Sequence, residues 1–219
     1  VTYVSGAGGT GKSTFIRYIR SKVKNSILLA PTGIAAINIG GRTIHSVFKF
    51  PPAFLTPDDI KRTNKTTRQY LQSTGLLIFD EISMVSSNLL DGVDEFLRLN
   101  MNVNKPFGGI PVLVVGDLFQ LPPIVSDNTK PLFEKYYESA FFFDSSCIKE
   151  LIEKNQFKMV QLKTVLRQKD DNFIEILNRI RTGTDVENAI DELNDLVIYA
   201  NSAPEGYVQI TPYNDVSDI

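Results

Sequence analysis

Apolar residues along the chain fall into two alternating rhythms. Short unbroken runs, VTYV (1–4), SILLAP (26–31), LLIFDE (76–81), PVLVVGD (111–117), FKMVQL (157–162) and YVQITPY (207–213), read as strands buried on both faces. Between them, apolar positions recur at helical spacing over 12–24, 33–39, 87–99, 171–182 and 186–199. Strand and helix in alternation predict β-α-β units around a mostly parallel sheet flanked by helices, an α/β fold. Residues 47–74, FKFPPAFLTPDDIKRTNKTTRQYLQSTG, break the rhythm with prolines and then basic and polar residues. They are expected to form a small inserted subdomain at the sheet edge.

The first strand runs into SGAGGTGKST and then into a helix. Gly6, Gly8, Gly9 and Gly11 remove the Cβ atoms that would keep a backbone from wrapping an anion. The spacing fits the phosphate-binding P-loop, with Gly6, Gly11, Lys12 and Ser13 at its fixed positions. Gly6, Gly8, Gly9, Thr10, Gly11, Lys12, Ser13 and Thr14 are expected to hold a nucleoside triphosphate, Lys12 to reach its terminal phosphates and Ser13 to sit on Mg²⁺. In LLIFDE a buried strand delivers Asp80 and Glu81 at its carboxyl end, where open parallel sheets bind ligands. Asp80 is expected on Mg²⁺ and Glu81 on the attacking water. A second strand ends in Asp117 and Gln120; beside the first strand, Gln120 would report the γ-phosphate.

Composition narrows the class. In 219 residues there is no apolar run long enough to span a bilayer, so no membrane partner is expected. Cys147 is the only cysteine, which excludes an internal disulfide and a cysteine-rich zinc site. The net charge of −2 conceals an asymmetry: residues 1–75 carry +9 and residues 76–219 carry −11. A basic third of that size suits a polyanionic partner.

SGAGGTGKST, APTGIAAINIGGRTIHSVF, DEISMV, GDLFQLPP and LKTVLRQ, in that order, resemble the first RecA-like motor domain of the Pif/RecD-type superfamily-one DNA helicases. The resemblance runs from residue 1 to about 210 and implies an ATP-driven translocase on single-stranded DNA, typically 5′ to 3′, that separates duplexes at junctions. It matches Lys12, Glu81, Gln120 and Arg167 to catalytic positions, with Arg167 reaching the γ-phosphate. Thr32, Gly33, Thr43, His45 and Ser46 match DNA-facing positions, which track a phosphate chain without reading bases. Phe48, Phe50 and Phe54 are expected either to stack on bases or wedge the duplex, or to form the core of the insertion. Residues 1–206 are expected to be the first RecA-like domain and 207–219 a linker or the start of a second. The arginine finger and second RecA-like domain lie outside the sequence, so the chain is expected to be a fragment and a poor ATPase alone. A monomer in a bacterial cytoplasm is the expected setting. Two other readings stay open: an oligomeric remodelling ATPase and a nucleotide-gated binding module.

Overall fold

The computed structural model describes residues 1–168 and 170–195. Six strands form one parallel sheet: β1 (Thr2–Gly6), β2 (Ser26–Ala30), β3 (Arg42–Thr43), β4 (Leu76–Phe79), β5 (Val112–Gly116) and β6 (Lys158–Leu162), in the order β3-β2-β4-β5-β1-β6. Five strands lie where the apolar runs predict. The two-residue β3 is too short to leave a pattern, and the run 207–213 lies outside the described residues.

Alternation along each strand divides the core in two. Tyr3, Ile27, Leu29, Leu77, Phe79, Val112 and Val114 face one side. Val4, Leu28, Ile78, Leu113 and Val115 face the other, against Ile16. That isoleucine belongs to α1 (Lys12–Lys22), and Ile39 of α2 (Gly33–Ile39) packs on the same side. The first face is covered by α3 (Ile44–Phe48), α4 (Lys65–Gln72), α5 (Ser87–Met101) and α7 (Ser146–Glu153); α6 (Lys130–Tyr136) follows β5. Buried side chains on both faces explain why β2, β4 and β5 read as unbroken apolar runs, whereas β6, at the sheet edge, is exposed from Lys158 to Gln161.

The 47–74 segment departs from expectation, because it has no core of its own. Phe48 and Phe50 are buried and ring-pack on Phe96 of α5 at 5.3 and 5.9 Å. Asn88, on α5, accepts from the Leu55 amide at 2.7 Å and donates to the Leu55 carbonyl at 3.0 Å. Asn100, three turns further on, accepts from the Thr63 amide at 2.7 Å and donates to Lys61. At Gly92, between the two, a Cβ would lie 2.4 Å from Leu55 Cδ1. The proline-rich stretch is therefore fastened along α5.

Contacts divide the chain into a unit ending at Lys169 and a second that begins at Asp170. Its helices α8 (Asp171–Thr182) and α9 (Val186–Asp195) are joined by Arg179, which pairs with Asp185 at 2.8 Å and Glu192 at 2.9 Å. Residues 207–219, expected as a linker or the start of a second RecA-like domain, lie outside the described residues.

Candidate functional site

Helix N-termini carry amides with no partner inside the helix. In α2, α3 and α5 a side chain closes that gap: Thr32, Thr43 and Ser86 accept from Ala35, Ser46 and Leu89. Helix α1 begins instead at Gly11, in the left-handed region (φ 90°), with no side-chain cap. Its first-turn amides and its dipole are left to face a ligand, the arrangement an anion needs.

The loop ahead of α1 is shaped by what its glycines leave out. A Cβ on Gly6 would meet Thr10 Oγ1 at 2.5 Å, and Gly9 has φ 80° and would meet Arg167 Cβ at 2.8 Å. Gly8 has open space around it, so no steric need fixes glycine there. Thr10 is buried, and its hydroxyl donates to the Ala7 carbonyl at 2.9 Å. It staples the loop and, like Gly6, does not line the cleft, so these two expected nucleotide-binding residues shape the cradle through the backbone. Lys12 Nζ donates to the Gly6 and Ala7 carbonyls at 2.7 and 3.1 Å, lying along the cradle where phosphate would sit.

The two acidic and glutamine-bearing tips converge here because β5 lies beside both β1 and β4. Gly8, Gly9, Gly11, Lys12, Ser13, Thr14, Asp80, Glu81, Gln120 and Arg167 border one cleft of about 350 Å³. Asp80 is buried and accepts from the Glu81 amide at 3.0 Å. Burial raises its carboxyl above the ordinary range, offset by that amide and by Lys12. Glu81 takes left-handed backbone (φ 50°), a conformation uncommon outside glycine. Its carboxyl is raised first by burial, then by Asp80, with Lys12 opposing and Asp117 adding to the rise. Asp117 is buried and accepts from the Gln120 side-chain amide at 3.3 Å, orienting the glutamine. At Gly116 a Cβ would meet Ile82 Cγ2 at 2.9 Å, so the tip of β5 fits against the turn carrying Glu81.

The segment after β6 closes one side. The Leu166 amide donates to the Gly9 carbonyl at 2.8 Å, which seats Arg167 on the loop. Leu166 and Arg17 also border the cleft, and the motif spacing predicts neither. The helical register offered one signal: Arg17 lies on the same stripe of α1 as Thr14, to which it donates at 3.3 Å.

The DNA-facing candidates divide. Thr32 and His45 border a second groove of about 400 Å³ with Pro31, Phe54, Met84 and Ser86. Gly33, Thr43 and Ser46 do not line it; Thr43 caps α3 and Ser46 Oγ donates back to the Thr43 carbonyl at 2.9 Å. Burial lowers the His45 imidazole, so at neutral pH it is a neutral hydrogen-bonding group. Of the three phenylalanines only Phe54 borders the groove, backed by Phe133 at 5.1 Å. No cluster of three or more metal-ligating His, Cys, Asp or Glu side chains occurs among the described residues. Nor is any described helix long and apolar enough to cross a membrane.

Comparison with known proteins agrees with this geometry. The PIF1-like helicase family matches residues 1–191. The chain is 36% identical over 211 residues to the ATP-dependent DNA helicase RRM3 of Saccharomyces cerevisiae, covering 91% of this chain and 28% of that protein. It is 38% identical to the ATP-dependent DNA helicase PIF1 of Candida albicans, covering 83% and 21%. It therefore spans less than a third of the length of these relatives. Among solved structures, Bacteroides Pif1 helicase in complex with ADP-AlF3 and ssDNA superposes with a TM-score of 0.87 at 37% identity, over 99% of this chain and 51% of that one. The ssDNA-bound form of Bacteroides Pif1 gives 0.88 at 36%, with the same coverage. On sequence and fold alike, the chain belongs to the PIF1-like helicase family.

Proposed function

We propose that the chain is the ATP-binding first motor domain of an ATP-dependent DNA helicase that moves 5′ to 3′ on single-stranded DNA and opens duplex junctions. The observation that carries this reading is the meeting of Lys12, Ser13, Asp80, Glu81, Gln120 and Arg167 around one cleft at the carboxyl edge of the sheet.

Each residue then has a task in hydrolysis. The uncapped start of α1 receives the phosphates, and Lys12 exchanges its two loop carbonyls for phosphate oxygens. Glu81 takes the proton of the attacking water; a raised carboxyl is the better base near neutral pH. Gln120, held by Asp117, hydrogen-bonds the γ-phosphate without adding charge. Arg167 stabilises the charge on the transferring phosphoryl group, and ADP and phosphate leave. The donor set also fits Mg²⁺, which is usually held by one or two carboxylates together with substrate phosphates. Ser13 and Asp80 would hold the ion, which supplies charge neutralisation at the phosphates.

The groove bordered by Thr32, His45 and Phe54 is the proposed path for the DNA strand. Residues 1–206 are assigned to the first RecA-like domain, which works against a second in the complete protein. A monomer in the bacterial cytoplasm is the setting we assign, the latter from motif spacing alone. The test is ATP turnover of the complete protein with and without single-stranded DNA, with Lys12→Ala as the blank. Strong stimulation lost in the blank supports the motor; turnover indifferent to DNA overturns it.

A further inference from the structure

The first acidic residue of the chain is Asp58; the 57 positions before it hold seven Lys or Arg and no Asp or Glu. Four of those cations gather away from the nucleotide cleft. Arg20 and Lys22 stand in the last turn of α1, Lys24 just beyond it, and Arg42 at the start of β3; all four are exposed. Arg20 donates to the Gly40 carbonyl at 3.5 Å, which joins the end of α1 to the turn leading into Arg42. Lys22 lies over the Tyr18 ring at 5.6 Å. Among the described residues, none of the four pairs with a carboxylate. Cations are favoured at a helix C-terminus, which accounts for Arg20 and Lys22. It does not account for Lys24 and Arg42, which lie outside the helix.

This surface is separate from the groove assigned to the single strand. Helix α1 packs on the Val4, Leu28 and Ile78 face of the sheet, whereas α3 and α5, which supply His45, Asn88 and Leu89 to the groove, cover the opposite face. Its chemistry also differs. Single strands are held by stacking rings in a charged groove, and the one ring here, Tyr18, already carries Lys22. Duplex DNA needs no stacking partner; it offers one charge per about 1.7 Å of its axis, and exposed point charges neutralise it without reading bases.

We propose that Arg20, Lys22, Lys24 and Arg42 form a second DNA surface, which holds the phosphate backbone of the duplex arm of a junction. The assignment rests on reading the chain as a DNA motor. It gives the motor a grip on the duplex that is independent of its grip on the strand.

The experiment is fluorescence anisotropy of the complete protein with a blunt duplex and with a single strand of equal length, across a salt series. The triple variant Arg20→Ala, Lys22→Ala, Lys24→Ala removes three charges, each contributing about 0.9 to the slope of log affinity against log salt. The slope for duplex is expected to fall by about 2.7, so that between about 50 and 200 mM salt the unaltered protein loses about 40-fold more affinity than the variant. Affinity for the single strand and turnover stimulated by it are expected to stay within about twofold. The charge-keeping variant Arg20→Lys, Lys22→Arg, Lys24→Arg is expected to restore the slope, which separates charge from packing. Matching melting temperatures control for folding. A duplex slope unchanged in the triple variant would overturn the assignment, as would equal weakening of duplex and single strand. No duplex binding by the unaltered protein would overturn it too, while stimulation by the single strand would leave the motor reading standing. Turnover of the unaltered protein indifferent to single strand, with the slope difference intact, would overturn the motor reading and support the surface.

Discussion

Replacing Glu81 by glutamine should make the protein more stable while it stops turnover. Glu81 is half-buried beside Asp80, itself buried, with Asp117 adding to the repulsion and Lys12 opposing it. Two like charges about 4 Å apart repel by about 1 kcal/mol in bulk water and about 4 kcal/mol at an effective dielectric of about 20. The cleft is open to solvent and Lys12 offsets part of the repulsion, so the lower figure applies, about 1 kcal/mol. Glutamine keeps the shape and removes the charge, so at pH 7.5 the melting temperature should rise by about 2–4 °C. The pH dependence fixes the cause. A carboxyl raised in the folded state adds stability at low pH, where it is protonated, and loses that contribution as pH rises through its folded value. The advantage of Glu81→Gln should therefore be largest near pH 8 and shrink toward pH 5. Differential scanning fluorimetry across that range measures it, paired with a turnover assay in which kcat falls by at least about a hundredfold. A glutamine variant less stable than the parent at pH 8, or an advantage that does not change with pH, would refute the electrostatic account.

Other consequences are checked more briefly. Lys12→Ala should abolish measurable ATP binding in calorimetry while leaving the melting temperature within about 2 °C, since the loop carbonyls it leaves can turn to water. Gly116→Ala should cost about 1–3 kcal/mol in urea unfolding and lower kcat, because its Cβ collides with Ile82 and displaces the Glu81 turn. Arg98 bridges Asp94 at 2.7 Å and Glu150 at 2.6 Å, so Arg98→Ala should cost about 3 kcal/mol, by leaving the buried Asp94 carboxylate short of its counter-charge. If the basic residues of the first third carry DNA, anisotropy titrations should show affinity for single-stranded DNA falling at least about tenfold between 50 and 200 mM salt; a flat response would assign those charges to solvent.

The parts of the site that could be read in the sequence are those whose chemistry is local. In SGAGGTGKST, LLIFDE and GDLFQ a strand, its exit turn and the reactive side chain sit within a few residues, so spacing alone places them. Long-range packing hides the rest. The sequence does not show that the Thr10 hydroxyl turns back to the Ala7 carbonyl and leaves only the backbone of that residue to a ligand. Nor does it show that the hydroxyls of Thr43 and Ser46, expected to face DNA, each bond backbone at the start of α3. Phe48 and Phe50 sit in a proline-rich, polar stretch that suggests an outlying piece, and only the approach of Phe96 shows that they belong to the main core. Helices α4 and α7 are short and sit among polar or aromatic residues, so neither gives a sustained period. Leu166 lies in LKTVLRQ beside Arg167, and its place at the cleft comes from one backbone bond to Gly9.

The asparagines of α5 have a consequence for how such a domain can change over generations. Asn88 and Asn100 grip main-chain groups and not side chains, so the identity of the residues at 55 and 63 matters less to them than the presence of a peptide. The stretch between these two grips can accordingly be lengthened with little penalty, since each doubling of a loop costs only about 0.6 kcal/mol in closure, provided Leu55 and Ile60 keep their places in the core. The domain thus carries a socket in which a longer insert can be grown without rebuilding the sheet beneath it.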